Sequence, residues 1–135
     1  MSGALALRIV IADDTPDIRE LLRLVLEGRH GFTVVGEAAD GREAVEQTRA
    51  RRPDAIVLDL AMPRMDGFAA IPEIRRVSPE TKIVVLSGFD PAVMEAEALE
   101  RGAHAYVTKG TPSGQLASTL ITVCGGDGQP AGRSC

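Results

Sequence analysis

The chain has 135 residues, of which 44% are hydrophobic and 3% aromatic, and its formal net charge at pH 7 is -4. This length fits one domain, and the scarcity of aromatic residues means that the core must be built from aliphatic side chains. The negative charge argues against nucleic-acid binding by this chain, since contact with a phosphate backbone requires clustered Lys and Arg. Its two cysteines, Cys124 and Cys135, lack the spacing of a zinc site.

Neither a signal peptide nor a membrane span is recognisable in the sequence. Arg8 and then Asp13-Asp14 interrupt the first apolar stretch too early for a signal peptide. No apolar run approaches the roughly 18 residues of a transmembrane helix. We therefore expect a cytoplasmic protein.

Apolar runs that end in polar side chains predict the strands of a sheet. Phe32–Ala38 is predicted as a strand, and the other runs are Leu7–Ala12 before Asp13-Asp14, Asp54–Leu58 before Asp59, Thr81–Leu86 before Ser87, and Ala103–Thr108 before Lys109. Amphipathic segments separate these runs. The alternation of strand and helix predicts a doubly wound α/β fold, with a five-stranded parallel sheet and right-handed crossovers.

The first helix has the clearest signals. Thr15 is a suitable N-cap and Pro16 fits the first helical position, while Gly28 or Gly31 ends the helix. Its apolar face is predicted to consist of Ile18, Leu21, Leu22, Val25 and Leu26.

The remaining helices are predicted from caps and prolines. The second runs from about Arg42 to Arg51, and the basic run that ends it, Arg49, Arg51 and Arg52, is interpreted as a solvated helix terminus. The third runs from near Gly67 to Val77, with a late start or a kink near Pro72. Asp90-Pro91 and Thr111-Pro112 repeat the arrangement of a cap followed by proline, which predicts where the fourth and fifth helices begin.

The polar residues at the strand ends are the candidate site. In a parallel sheet the carboxyl ends of the strands share one edge, so Asp13, Asp14, Asp59, Ser87 and Lys109 are predicted to gather there. Converging carboxylates repel one another by on the order of a few kcal/mol unless a cation neutralises them. An oxygen-rich site with few protein ligands suits Mg²⁺ better than Ca²⁺ or zinc. Taken singly, Asp13 or Asp14 fits a helix cap as well as a metal ligand.

The order of these features resembles the response-regulator receiver domain, the phosphate-accepting module of bacterial two-component signalling. The resemblance rests on an acidic pair after the first strand, on Ser87 and Lys109 after the last two, and on Asp59 followed by Met62-Pro63 and Asp66-Gly67. It extends from about Leu7 to Cys124 and is greatest to the receiver half of NarL/FixJ (LuxR-type) regulators. It implies a flavodoxin-like, CheY-like sheet of order 2-1-3-4-5 with five helices. It also implies a receiver domain over residues 1–124 and a flexible tail or linker over 125–135.

The resemblance implies a role for each site residue. Asp59 would accept a phosphoryl group from a histidine kinase, or from a small phosphodonor, in a reaction that requires Mg²⁺. Asp14 would be the main direct metal ligand. Asp59 and the backbone carbonyl of Ala61 would also bind the ion, and Asp13 would act largely through water. Ser87 and Lys109 would contact the phosphoryl group. Ser87 and Tyr106 would form a switch that changes the surface of the fourth helix, fifth strand and fifth helix.

The same resemblance implies the partners. The chain would be a signalling phosphoacceptor that assists only its own phosphorylation and dephosphorylation, rather than an enzyme with an external substrate. A histidine kinase would act upstream, and phosphorylation could produce a homodimer. DNA would be reached only through an effector domain beyond this chain, and no membrane partner is expected.

Several alternatives stay open from the residues themselves. Ser87 fits an ordinary turn residue, Lys109 a solvent-facing lysine, and Tyr106 a half-buried strand aromatic with its hydroxyl in water. Lys109 is followed by Gly110, and the proline common after this lysine in receivers is displaced to Pro112, which puts a cis peptide bond there in doubt.

Two other functions remain as alternatives for the whole chain. The first is a receiver-like interaction module that works without phosphorylation. The second is a Mg²⁺-dependent phosphohydrolase of the haloacid-dehalogenase-like class, which requires a second Asp two residues after the nucleophile. That position is Ala61 here.

Overall fold

The computed structural model describes residues 6–29 and 31–125, and within them strand and helix alternate as predicted. The elements are β1 (Leu7–Ala12), α1 (Pro16–Glu27), β2 (Phe32–Ala38), α2 (Gly41–Arg51), β3 (Ala55–Leu58), α3 (Gly67–Val77), β4 (Lys82–Ser87), α4 (Pro91–Arg101), β5 (Ala105–Thr108) and α5 (Ser113–Gly125). All strand pairs are parallel, and the order in the sheet is β2-β1-β3-β4-β5. The predicted fold class is therefore confirmed.

The sheet is covered on both faces, which explains why its strands are continuous apolar runs. Alternate residues of each strand point to opposite faces. Val10, Ile56 and Ile83 pack with residues of α2, α3 and α4 on one face, whereas Ile9 and Val84 pack with residues of α1 and α5 on the other. Two aliphatic layers thus hold the sheet rigidly in place.

The strand register brings the predicted polar residues to one edge. Ala12 pairs with Leu58, so Asp13 and Asp59 leave adjacent strands at the same level, and the Asp59 N–H donates to the Ala12 carbonyl (3.0 Å). At the other side of the sheet the Lys109 N–H donates to the Ser87 carbonyl (2.7 Å). The positions of these side chains therefore follow from the pairing of the sheet.

The predicted bounds of the first helix are correct, but one residue of its predicted apolar face is exposed. Thr15 is the N-cap, Pro16 begins the helix and Gly28 is the C-cap, although the Thr15 side chain makes no capping hydrogen bond. Leu21 is 54% exposed, whereas Leu26 is fully buried. Leu21 lies at the margin of the apolar stripe, where it lines an open groove of about 260 Å³ between α1 and α5.

Pro72 lies inside α3, which runs from Gly67 to Val77 as predicted, so of the two alternatives at Pro72 the late start is excluded. Asp66 caps the helix by accepting a hydrogen bond from the Ala69 N–H (2.9 Å), which starts it at Gly67. Pro72 has no N–H to donate to the Phe68 carbonyl four residues earlier. Arg101 of α4 donates to that carbonyl instead (3.4 Å), and its guanidinium lies 5.1 Å from the centre of the Phe68 ring.

The other helix ends agree closely with the sequence. Asp40 caps α2 at Gly41, and Asp90 caps α4 at Pro91. Arg52 is the C-cap of α2, and the basic run before it is exposed, as expected of a solvated helix terminus. The fifth helix begins at Ser113, one residue after Pro112 rather than at it.

The C-terminal helix ends at Gly125, and residues 126–135 of the predicted tail lie outside the described residues. The division into a receiver domain over 1–124 and a tail over 125–135 stays a prediction. Across residues 6–29 and 31–125, no helix combines the length and the apolar character that crossing a bilayer requires.

Candidate functional site

The predicted acidic cluster forms at the carboxyl edge of the sheet. Asp13, Asp14 and Asp59 each offer one carboxylate oxygen, and these oxygens all lie within 4.8 Å of one another. Asp13 is 2% and Asp59 5% exposed, while Asp14 is open to solvent. Two of the carboxylates are therefore buried in the protein, and the third, Asp14, lies at the solvent-exposed side of the site.

Asp13 is held at each of its polar groups. Its Oδ1 accepts a hydrogen bond from the Thr15 N–H (2.9 Å), and its Oδ2 accepts one from Lys109 Nζ (2.9 Å). Its own N–H donates to the Ala38 carbonyl (3.0 Å), and its carbonyl accepts from Arg19 Nη1 (2.7 Å). Asp13 thus shapes the turn that leads into α1 as well as joining the cluster, but the N-cap of α1 is Thr15, and the role of Asp13 as a metal ligand stays a prediction.

Lys109 is the cation of the site. Besides contacting Asp13, its Nζ lies 3.4 Å from Asp59 Oδ2. Burial opposes the charge on Lys109, but the hydrogen bond to Asp13 and the charges of Asp59 and Asp13 outweigh it and raise the pKa of Lys109. The alternative of a solvent-facing lysine is therefore wrong.

The loop after Lys109 adopts its shape through glycine. Gly110 has φ +95°, a conformation that favours glycine, and no described peptide bond is cis. The doubt about a cis bond after Lys109 was therefore justified.

Asp59 has a pKa above its ordinary value because of where it lies in the site. Burial and the negative charge of Asp13 raise the pKa of Asp59, and Lys109 acts in the opposite direction. The Ala61 N–H donates to Asp59 Oδ1 (3.3 Å). An open cavity of about 480 Å³ lies over these groups and is lined by Asp14, Asp59, Ala61, Gly88, Phe89 and Lys109.

Ser87 and Tyr106, the two predicted switch residues, both contact Phe89. Ser87 is fully buried, and its Oγ accepts from the Phe89 N–H (3.0 Å). The half-buried Tyr106 donates its hydroxyl to the Phe89 carbonyl (2.8 Å), so this hydroxyl is bonded to protein. Ser87 therefore shapes a turn in this structure, and its contact with a phosphoryl group stays a prediction.

Close backbone contacts hold the β3–α3 loop against the site. A Cβ at Gly67 would lie 2.3 Å from the Asp59 carbonyl oxygen, and the Gly67 N–H donates to the Leu60 carbonyl (3.0 Å). Only glycine allows the loop to fold back this closely on Asp59. The Asp66-Gly67 pair therefore has a physical role in placing the loop that carries Ala61.

The sequence did not reveal a second attachment of this loop. Arg64 has φ +63°, which is costly for a non-glycine residue, and its Nε donates to the 2% exposed Asp40 (2.6 Å). Hydrogen bonds from the Glu43 N–H and from Arg64 lower the pKa of Asp40 against the effect of burial. The Gly41 N–H also donates to the Met65 carbonyl (2.7 Å), so the start of α2 anchors the loop.

Arg19 was also missed by the sequence analysis. It donates to the Asp13 carbonyl through Nη1 and to Glu37 Oε1 through Nε (3.0 Å), which joins α1, β1 and β2 beside the acidic cluster. The available signal was an acidic residue, Glu37, close to the carboxyl end of β2, with arginines on the helix that precedes this strand.

Comparisons with known proteins agree with this geometry. The family model described as "Response regulator receiver domain" matches residues 9–121. The chain is 38% identical to the chemotaxis protein CheY of Thermotoga maritima over 102 residues, which is 76% of this chain and 84% of that protein. It is also 38% identical to the oxygen regulatory protein NreC of Staphylococcus epidermidis, over 90% of this chain and 56% of that protein.

A solved structure shows the same fold. The crystal structure of a LuxR-family two-component response regulator from Aurantimonas sp. SI85-9A1 superimposes with a TM-score of 0.83 at 34% identity, over 87% of this chain and 84% of that one. Several curated relatives are longer, and the chain spans only 35% to 56% of their length. The matched length, the strand order and the acidic edge of the sheet lead to one conclusion: the chain belongs to the family of response-regulator receiver domains.

Proposed function

We propose that the chain accepts a phosphoryl group on Asp59 from a histidine kinase, in a Mg²⁺-dependent reaction, and passes the signal to an output through the surface of α4, β5 and α5. The observation that carries this proposal is the convergence of Asp13, Asp14 and Asp59 around the ammonium of Lys109. Receiver domains are signalling modules, and the proposed chemistry is limited to phosphorylation and dephosphorylation of this chain itself.

The donor set fits Mg²⁺. When all three carboxylates are ionised, their negative charge exceeds the single positive charge of Lys109, which favours binding of a divalent cation. Oxygen ligands in an open cavity, with room for water and a phosphoryl group, suit Mg²⁺. Asp14 and Asp59 would bind the ion directly together with the Ala61 carbonyl, and Asp13 largely through water. Bound there, Mg²⁺ would neutralise negative charge on the phosphoryl oxygens.

The protein's own groups account for the rest of the reaction. A carboxylate oxygen of Asp59 forms a bond to phosphorus while the bond from phosphorus to the donor breaks, and the electron pair of that bond leaves with the donor. Lys109 pairs with the phosphoryl oxygens, since it already lies 3.4 Å from Asp59 Oδ2. Ser87 donates its hydroxyl hydrogen to the phosphoryl group, and a rotation of its side chain toward that group would break the present contact in which its Oγ accepts from the Phe89 N–H.

Phe89 connects this chemistry to the proposed output surface. If Ser87 turns toward the phosphoryl group, the β4–α4 loop loses one of the two hydrogen bonds that hold Phe89, and the other comes from Tyr106 of β5. We then expect Tyr106 and the start of α4 to rearrange together. Such a change would alter effector contacts or produce a homodimer.

The proposed output is transcription. NreC is named an oxygen regulatory protein, and the structural neighbour from Aurantimonas is a LuxR-family regulator. The chain matches only about half of NreC. We therefore propose that a DNA-binding domain beyond this chain carries the output, and that the protein acts in the cytoplasm.

Intact-mass spectrometry after incubation with acetyl phosphate tests the central step. The unmodified protein and Asp59→Asn are each treated with and without Mg²⁺. Asp54→Asn is a matched control, because Asp54 precedes β3 while Asp59 follows it, and an amide can still accept the Arg8 N–H. The expected result is one added phosphoryl group that requires both Mg²⁺ and Asp59, and that survives Asp54→Asn.

Two other results would each contradict the proposal. Absence of modification in a folded protein under every condition would favour a receiver-like interaction module. Steady release of phosphate from phosphate esters would favour a phosphohydrolase, although Ala61 occupies the position at which that class requires its second Asp.

A further inference from the structure

We propose that Arg19 is a positioning residue that holds the Asp13-Asp14 peptide in the orientation needed for Mg²⁺ binding; this inference rests on the proposed function of the site. The Arg19 side chain is 18% exposed and lies on α1 against the ends of β1 and β2. Its Nη1 donates to the Asp13 carbonyl at 2.7 Å, one of the shortest contacts at this edge of the sheet.

The contact matters because of what the Asp13 carbonyl is attached to. The Asp13 carbonyl and the Asp14 N–H belong to one planar peptide group, so fixing the carbonyl fixes the plane from which Asp14 projects. Asp14 is the exposed member of the acidic cluster and the proposed main metal ligand. Asp13 on the other side of this peptide is already held by Thr15, Lys109 and Ala38.

Glu37 keeps Arg19 directed at this carbonyl. Glu37 Oε1 accepts from Arg19 Nε (3.0 Å), which leaves Nη1 of the same rigid guanidinium directed at the Asp13 carbonyl. Glu37 is itself restrained, because its Oε2 accepts two hydrogen bonds from Arg23 (2.9 and 2.6 Å). The bond from Arg23 is the chief reason why the pKa of Glu37 is lowered, so Glu37 stays charged near neutral pH.

Arg23 provides a matched control. Both arginines lie on α1 and pair with Glu37, but only Arg19 donates to the Asp13 carbonyl. Arg19→Gln and Arg23→Gln each remove one positive charge from the same side of the molecule. If Arg19 acted only through its charge, removing it would strengthen Mg²⁺ binding, because less positive charge would oppose the ion. If Arg19 acts by positioning, its removal weakens Mg²⁺ binding, so the sign of the change separates the two roles.

The experiment is calorimetric titration of Mg²⁺ into the unmodified protein, Arg19→Gln, Arg19→Lys and Arg23→Gln, with urea unfolding of each in metal-free buffer. We expect Arg19→Gln to weaken Mg²⁺ binding about tenfold, as is typical when a group that orients a metal ligand is lost. Arg23→Gln should weaken binding by no more than about twofold, since Arg23 lacks the contact with the Asp13 carbonyl and affects this peptide only through Glu37. Arg19→Lys should lie between these values, because one ammonium cannot reproduce both contacts of the guanidinium.

The outcomes separate this inference from the proposed function. Failure of the unmodified protein to bind Mg²⁺ would overturn both. Mg²⁺ binding by the unmodified protein with equal or tighter binding by Arg19→Gln would overturn the role of Arg19 alone, as would an equal loss in Arg19→Gln and Arg23→Gln. If urea unfolding shows that Arg19→Gln does not fold, Arg19→Lys decides the question, and an affinity equal to that of the unmodified protein would refute the inference.

Discussion

His104 should make the stability of this domain fall steeply in mild acid. The His104 ring lies at the end of the sheet opposite the acidic cluster, where Nδ1 accepts a hydrogen bond from the Ile83 N–H (3.0 Å). Nε2 of the ring lies 2.9 Å from Nη1 of Arg75, whose positive charge opposes protonation of the ring. Burial, together with the charges of Lys82 and Arg75, lowers the pKa of His104 from 6.5 to about 4.

The sign and size of the effect follow from proton linkage. Between pH 6.5 and about 4 the unfolded chain binds a proton at His104 and the folded chain does not, so unfolding becomes more favourable as the pH falls through this window. Each unit of pKa difference corresponds to about 1.4 kcal/mol, so the full loss is about 3 kcal/mol. The contribution is complete above pH 6.5 and is gone once the pH reaches about 4.

Urea unfolding of the unmodified protein and of His104→Asn at several pH values measures this loss. The Asn carbonyl oxygen can replace Nδ1 as the acceptor of the Ile83 N–H but cannot gain a proton. The free energy of unfolding of the unmodified protein, minus that of His104→Asn, should therefore fall by about 3 kcal/mol between pH 7 and pH 4. A difference that stays flat across this range would refute the argument, since all other titrating groups are common to both proteins.

Three further predictions concern the site and its loop, each read from urea unfolding. Asp59→Asn should stabilise the metal-free protein at neutral pH by on the order of 1 kcal/mol, because burial and Asp13 disfavour the charge of Asp59. This gain should shrink as the pH falls, since the folded protein then protonates Asp59 before the unfolded chain does, and a gain that grows in acid would contradict it. Lys109→Gln should destabilise the metal-free protein by about 1 kcal/mol, through loss of the ammonium between Asp13 and Asp59, and no loss would show that the carboxylates do not need this cation. Gly41→Ala should lower the free energy of unfolding by about 2 kcal/mol, because the new Cβ would lie 2.1 Å from the Met65 carbonyl oxygen. Gly88→Ala is the control, since the space around Gly88 is open, and it should change stability by less than about 0.5 kcal/mol. Equal losses in the two variants would contradict the steric argument.

Most of the fold could be predicted because β1, β3, β4 and β5 lie in apolar runs that end abruptly at polar residues. That change located Asp13, Asp59, Ser87 and Lys109 at the strand ends, where the structure has them. The course of α3 around Pro72 was harder, because the sequence could not reveal that Arg101 would bond to the Phe68 carbonyl. The exposure of Leu21 could not be predicted, because helical periodicity describes an apolar stripe but not how far the neighbouring helix extends over it.

The supporting contacts of the site could not be predicted for a related reason. Arg19 and Glu37 are separated by 18 residues, and Arg64 and Asp40 by 24. Each pair meets only after the chain has formed a helix or a crossover between them. Periodicity and capping rules describe neighbours along the chain, so they identify the carboxylates but not the arginines that hold the surrounding backbone.

The contacts around Lys109 suggest how a change of charge at Asp59 would reach the opposite side of the site. In this structure Lys109 is closer to Asp13 (2.9 Å) than to Asp59 (3.4 Å). A phosphoryl group on Asp59 would add negative charge on that side and attract the ammonium away from Asp13. Lys109 is joined through its backbone N–H to Ser87, and Ser87 and Tyr106 hold Phe89 from its two sides. In the proposed mechanism, position 109 would therefore connect the two events: its ammonium balances the charge at Asp59, and its backbone N–H joins it to Ser87 at the end of β4.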